Sequence, residues 1–140
     1  MLKVELHAHT SDDPIDYIPY TVDRLVDRAA DLGYDAIAIT LHDRQLDVEP
    51  HREYARSRDI VLIPGVERSI EGRHALLINF PAAAAEAVET FGDLAALRAE
   101  HDGLVIAPHP YFPVPSCLQR DLDRHPDLFD AVELHALYTR

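Results

Sequence analysis

Leu2-Lys3-Val4-Glu5-Leu6-His7-Ala8-His9-Thr10-Ser11-Asp12-Asp13 reads as a short strand running into two histidines and then two aspartates. Val4 and Leu6 favour extended backbone, and residues two apart on a strand share a face. His7 and His9 therefore project together at the strand's end, with carboxylates a few residues on. Neutral nitrogens beside anionic oxygens suit a divalent ion. A His-x-His pair alone fits two solvated surface histidines equally well, so the rest of the chain decides.

Downstream, apolar runs of strand length alternate with helical stretches, and the runs end in the same chemistry. Thr21 can cap a helix whose stripe is Val22, Leu25, Val26, Ala29 and Ala30, stopped at Gly33. The run from Asp35 to Thr40 reads as a strand buried on both faces and leads to His42. A helix is expected from about Val48 to Arg58, with Pro50 in its first turn. Ile60 to Glu67 is a third strand ending in a carboxylate, followed by a short polar turn over Arg68 to Arg73. His74 to Phe80 is a fourth strand. The alanine-rich stretch after Pro81 is expected to be helical, broken at Gly92, with Asp93 capping a second piece that stops at Gly103. Leu104 to His109 is a fifth strand, a short helix lies near Leu118 to Leu122, and Phe129 to His135 is a sixth strand.

This β-α alternation predicts a parallel α/β architecture. Ligand-type residues at so many strand ends favour a barrel, whose strand ends converge on one mouth, over an open sheet, whose strand ends lie in a row.

Composition bounds the rest. The chain of 140 residues is 47% hydrophobic and 27% charged, as for one soluble globular domain, and residues 1–140 are read as a single domain. A net charge of -12 argues against binding long nucleic acid or a membrane surface. It leaves room for a phosphorylated substrate, because bound divalent ions reverse the sign locally. Cys117 is the single cysteine, so no intrachain disulfide forms. Without a charged-then-apolar leader or a run of membrane-spanning length, a cytoplasmic location is expected.

With these pieces in place, the chain closely resembles the PHP family (polymerase and histidinol phosphatase domain). The matching segments are Leu6-His7-Ala8-His9-Thr10, Ile39-Thr40-Leu41-His42, Pro64-Gly65-Val66-Glu67, Arg73-His74-Ala75-Leu76-Leu77, Ala107-Pro108-His109-Pro110 and Ala131-Val132-Glu133, in family order across the whole chain. The resemblance implies a distorted seven-stranded (β/α) barrel, TIM-barrel-like, of which this chain carries strands one to six. It also implies two or three divalent metal ions (zinc, manganese or iron) and hydrolysis of phosphate esters. Carried over by residue, His7 and His9 bind one metal, Glu67 bridges two, and His74 and His109 bind a second. His42 belongs with a third metal and a carboxylate from the first loop, Asp12 or Asp13, with Asp12 favoured. Asp13, Glu133 and His135 are candidates to stand behind the ligands.

Two departures concern ligands. Leu41 stands where the family usually has an aspartate, and the loop before Asp12 and Asp13 is compressed. A third departure is an absence. The family closes its site with a late Asp-x-His, and nothing after His135 supplies one. Six strands would leave a barrel unclosed and its edges unpaired. The expectation is therefore a C-terminally truncated barrel whose last strand or strands come from a second chain segment.

The chemistry expected is phosphoester hydrolysis by a metal-bridging hydroxide, with Glu67 holding the metal pair. The substrate would be a small phosphorylated metabolite or nucleotide. Arg44, Arg68 and Arg73 adjoin motif residues and are candidate phosphate contacts. His51, His101 and His125 lack a motif and read as surface residues. Two rivals remain. An amidohydrolase-type metal hydrolase also opens on His-x-His; its usual version with a carboxylated lysine is excluded because Lys3 is the only lysine, and a glutamate-bridged variant stays open. A catalytically incomplete metal-binding module is the non-enzymatic alternative.

Overall fold

The computed structural model describes residues 1–134. In chain order the elements are β1 (Val4–Ala8), α1 (Val22–Asp31), β2 (Ala36–His42), α2 (Arg52–Ser57), β3 (Val61–Ile70), β4 (Arg73–Ile78), α3 (Ala82–Glu86), α4 (Phe91–Glu100), β5 (Leu104–Ala107), α5 (Arg120–Arg124) and β6 (Ala131–Val132). The strands form one sheet in the order β1-β2-β3-β4-β5-β6.

β2 shows how the layers are made. Ile37, Ile39 and Leu41 point outward and pack with Val22, Val26 and Ala29 of α1 and with Ile60 and Leu62. Ala38 points the other way, into an inner cluster with Leu76, Ile78 and Ile106. A strand covered on both faces has no polar side to show, which is why its sequence is a continuous apolar run. The helix above it starts where Thr21 Oγ1 accepts the Arg24 amide at 3.4 Å, and it stops before Gly33, whose φ of 70° suits glycine. A further core cluster joins β3, β4 and β5 to α3, α4 and α5.

The all-parallel expectation needs correcting. β1, β2 and β3 run parallel, as do β5 and β6, but β4 is antiparallel to both β3 and β5. Its cause is local. Glu71 and Gly72, at φ 49° and 77°, form a two-residue hairpin turn with both centres in the left-handed region. So tight a link cannot accommodate the crossover that a parallel neighbour requires. The result is a mixed α/β sheet forming part of a barrel, with six strands among the described residues.

Reversal of β4 has a useful consequence. Its N-terminal end lies at the edge where the parallel strands finish, so His74, near its start, joins residues at the ends of the others.

Smaller differences also have physical reasons. The Val48–Arg58 helix is a 3-10 turn, Glu49–His51, followed by α2. Asp93 is not the cap of a second helix. Thr90 caps α4, and the Asp93 carboxylate answers from the third position in a capping box, so the helix runs through Gly92. The short helix expected near Leu118 lies at Arg120–Arg124. Of the Phe129 to His135 strand, Ala131–Val132 is ordered as strand, and His135 lies outside the described residues.

Gly103, between α4 and β5, is a steric requirement. A Cβ placed there would lie 2.4 Å from the Phe80 ring, which is 2% exposed and cannot swing into solvent. Gly103→Ala is expected to lower stability by about 1–3 kcal/mol, the usual range for forcing an extra carbon into a packed core. Urea denaturation measures this, and an unchanged midpoint would contradict it.

Candidate metal centre

Glu67 occupies the centre of the site. It lies within β3, faces His42 across the β2 ladder, and is 1% exposed. Five imidazoles surround it. Oε2 lies 3.1 Å from His7 Nε2, 3.1 Å from His9 Nε2 and 3.3 Å from His42 Nε2. Oε1 lies 2.8 Å from His74 Nδ1 and 3.2 Å from His109 Nε2. The two oxygens thus divide the histidines into one group from β1 and β2 and another from β4 and the end of β5.

Each ligand-type side chain is aimed by its local backbone. In β1 the register slips by one residue between Glu5 and Ala8, a bulge that turns the strand at Leu6 and His7. The buried Thr40 hydroxyl on β2 repairs the ladder there, accepting from the Ala8 amide at 3.1 Å and donating to the Ala8 carbonyl at 3.3 Å. His109 follows β5 with φ 31°, outside the comfortable range of a side-chain-bearing residue. Glu133 Oε2 holds its amide at 2.8 Å.

Two more carboxylates complete the ring. Glu133, just past β6, lies 3.3 Å from His7 Nδ1, so the two outermost strands of the sheet meet at the site. Asp13, with a side chain 0% exposed, lies 2.7 Å from His9 Nδ1 and 3.1 Å from His42 Nδ1. Its Oδ1 also accepts the amides of Ile15 and Asp16, at 2.9 and 2.8 Å, and Oδ2 accepts that of His42 at 3.0 Å. The favoured Asp12 is elsewhere: its Oδ2 accepts from Thr10 Oγ1 at 3.2 Å.

The electrostatics follow from this crowding. Burial opposes charge on Glu67, but hydrogen bonds with His109, His7, His74 and His9 outweigh it and hold the carboxyl far below the usual range. Burial likewise opposes a charged His7, yet the bonds to Glu133 and Glu67 raise its pKa to about 10. His9 is raised in the same way against burial, by Glu67 and Asp13. Asp13 and Glu133 are lowered against burial, Asp13 first by the Asp16 amide and Glu133 first by His7.

The donor set fits divalent ions. Among the described residues, four groups of three have ligand atoms within 4.8 Å of one another: His7, His9 and Glu67; His42, Glu67 and His74; His9, Asp13 and His42; His7, His109 and Glu133. Imidazole with carboxylate suits zinc, manganese and iron alike. The five histidines and Glu67 line a cavity of about 300 Å³ whose other walls are Asp16, Phe112, Val114 and Ser116, while Asp13 and Glu133 stand behind the imidazoles. A larger apolar recess of about 560 Å³, bordered by Leu6, Leu62, Ile63 and Leu104, has no histidine in its walls.

The three candidate phosphate contacts do not reach the cavity. Arg44 donates to the Asp12 carbonyl. Arg68 binds Asp43 and the Val88 carbonyl, each at 2.7 Å. Arg73 binds Asp121 at 2.9 Å and the Pro115 carbonyl. Asp16, Phe112, Val114 and Ser116 went unnoticed in the sequence, because loop residues without periodicity carry no signal of where they fold back.

No family model matches the chain. A DNA polymerase III PolC-type from Streptococcus pyogenes is 45% identical over 69 residues, 49% of this chain and 5% of that protein. The corresponding polymerase of S. pyogenes serotype M5 (strain Manfredo) is 44% identical over the same length. The chain thus spans a small fraction of these curated relatives. Among solved structures, a two-domain protein from Bacteroides vulgatus containing a predicted PHP-like metal-dependent phosphoesterase covers 99% of this chain and 40% of its own. Its TM-score is 0.58 at 22% identity, a likeness of fold. No helix among the described residues is long and apolar enough to cross a membrane.

Proposed function

We propose that this chain, PHP-like in both sequence and fold, is a metal-dependent phosphoesterase acting on a small phosphorylated compound. The observation that carries this reading is Glu67, a buried carboxylate within 3.3 Å of five imidazole nitrogens at the floor of an open cavity. A buried charge so heavily surrounded is costly as packing alone, and its residues are worth more as ligands.

Glu67 would bridge two ions, with His7 and His9 on the Oε2 side and His74 and His109 on the Oε1 side. Asp13 and His42 would hold a third, and Glu133 fixes the outward nitrogen of His7 as carboxylates commonly do behind ligating histidines. Bound divalent ions supply Lewis acidity that offsets phosphate charge and eases deprotonation of water. Among the described residues no arginine or lysine lines the cavity, which assigns the phosphate to the histidine and carboxylate cluster. The cavity is of small-molecule size, and with the -12 net charge this favours a metabolite or nucleotide over long nucleic acid.

The test strips the protein with a chelator, reloads it with Mn2+, Zn2+ or Fe2+, and assays a panel of phosphomonoesters and diesters. Turnover should vanish on stripping and return on reloading. Asp13→Asn, which removes the charge of a residue holding the third ion, should cost at least roughly 10-fold, the low end of what loss of a ligand's partner costs, while Asp12→Asn stays near wild type. A reloaded protein that binds ions yet is inert across the panel would favour the catalytically incomplete module.

A further inference from the structure

The outward nitrogens of four of the site's histidines meet two kinds of partner. His7 Nδ1 faces Glu133, and His9 and His42 Nδ1 face Asp13. His109 Nδ1 faces a thiol: Cys117 Sγ lies 3.1 Å away and is 0% exposed. A carboxylate only accepts, whereas a thiol both donates and accepts.

That difference matters because a neutral imidazole offering one nitrogen's lone pair carries its proton on the other. With His109 Nε2 turned to an ion, Nδ1 bears hydrogen and needs an acceptor. With Nε2–H donating to Glu67 Oε1, as 3.2 Å permits, Nδ1 needs a donor. Cys117 can serve in either state. Its segment is anchored to the neighbouring ligand as well, since the Ser116 carbonyl accepts the His74 amide at 2.7 Å. Gln119 N donates to the Pro110 carbonyl at 2.7 Å and closes the loop that presents the thiol. The strained backbone of His109 adds to the need for such a brace.

We propose that Cys117 is a positioning residue for His109, its thiol accepting from Nδ1 when Nε2 binds a divalent ion and donating to Nδ1 when Nε2 carries the proton. The proposal rests on the metal-centre reading and adds to it a residue that touches neither ion nor substrate.

The experiment titrates chelator-stripped wild type, Cys117→Val and Cys117→Ser with Zn2+ and follows the imidazole nitrogens by NMR. Valine approximates the volume without the hydrogen bond, and serine keeps the bond. Cys117→Val should bind at least one Zn2+ about 10-fold more weakly, and Cys117→Ser should retain wild-type affinity. Zn2+-loaded wild type should show His109 protonated at Nδ1, a readout that stands even if the valine variant does not fold. Equal affinity in the valine variant, equal loss in the serine variant, or an unprotonated Nδ1 would each overturn the proposal while leaving the metal centre intact. Wild type that takes up no Zn2+ would overturn the metal reading and this proposal with it.

Discussion

Glu67→Gln and Glu67→Ala are expected to abolish phosphoester turnover, by roughly 10³-fold or more in kcat/KM, equivalent to about 4 kcal/mol of transition-state stabilisation. Bound metal should fall in parallel. Both Glu67 oxygens are engaged, Oε2 by three imidazoles and Oε1 by two. Glutamine keeps the shape but replaces one acceptor with a donor and removes the charge. The loss of charge has its own signature in the stripped protein. His7 owes its pKa of about 10 to Glu133 and Glu67 acting against burial, so the substitution should bring that pKa down, readable by NMR titration. Undiminished turnover in either variant would remove Glu67 from the mechanism. Lost turnover with unchanged metal content would instead make it a residue of the reaction rather than of the metal site.

How much of this was legible from the chain differs residue by residue. β2 was readable because burial on both faces leaves a continuous apolar run. His7, His9, His42, Glu67, His74 and His109 were readable because each adjoins an apolar run with strand character, and the fold does bring all six together. Asp13 over Asp12 was not. Which of the two faces His9 and His42 depends on Asp13 Oδ1 turning back to accept two amides, those of Ile15 and Asp16, a local loop geometry that either aspartate's identity permits. The β1 bulge left no mark, because an extra residue in a ladder is a property of the pairing and not of one strand. The antiparallel β4 did leave a mark in Glu71-Gly72, a short turn ending in glycine, but β-α alternation on either side overrode it. The three arginines bind away from the cavity for a simple reason. Nearness to a motif in sequence says nothing about which carboxylate or carbonyl a long side chain finds, and here the partners are Asp43, Asp121 and the Asp12 carbonyl.

Metal uptake should depend steeply on pH. In the ion-free protein His7 has a pKa of about 10, so near neutrality its imidazole carries a proton that an incoming ion must displace. Each displaced proton makes the apparent affinity rise about tenfold per pH unit below that pKa. From pH 6 to pH 8, one proton at His7 thus predicts about a 100-fold fall in Kd, steeper still if His9, also raised, gives up a second. Stability of the ion-free fold should run the other way at high pH. A folded pKa above the unfolded value of 6.5 means that His7 contributes fully below pH 6.5 and loses that contribution as pH rises through about 10. At the acid end, Glu67, whose folded pKa lies below its ordinary 4.5, contributes above that value and loses its contribution as pH falls. Stripped protein should therefore melt at progressively lower temperature from pH 7 to pH 10, while Zn2+-loaded protein loses less, because the ion replaces the proton as the partner of the carboxylates. Competition with a fluorescent chelator between pH 6 and pH 8, with melting curves up to pH 10, measures both slopes. A pH-independent Kd over that range would show that His7 is already neutral without metal and that Glu133 and Glu67 do not hold a proton on it.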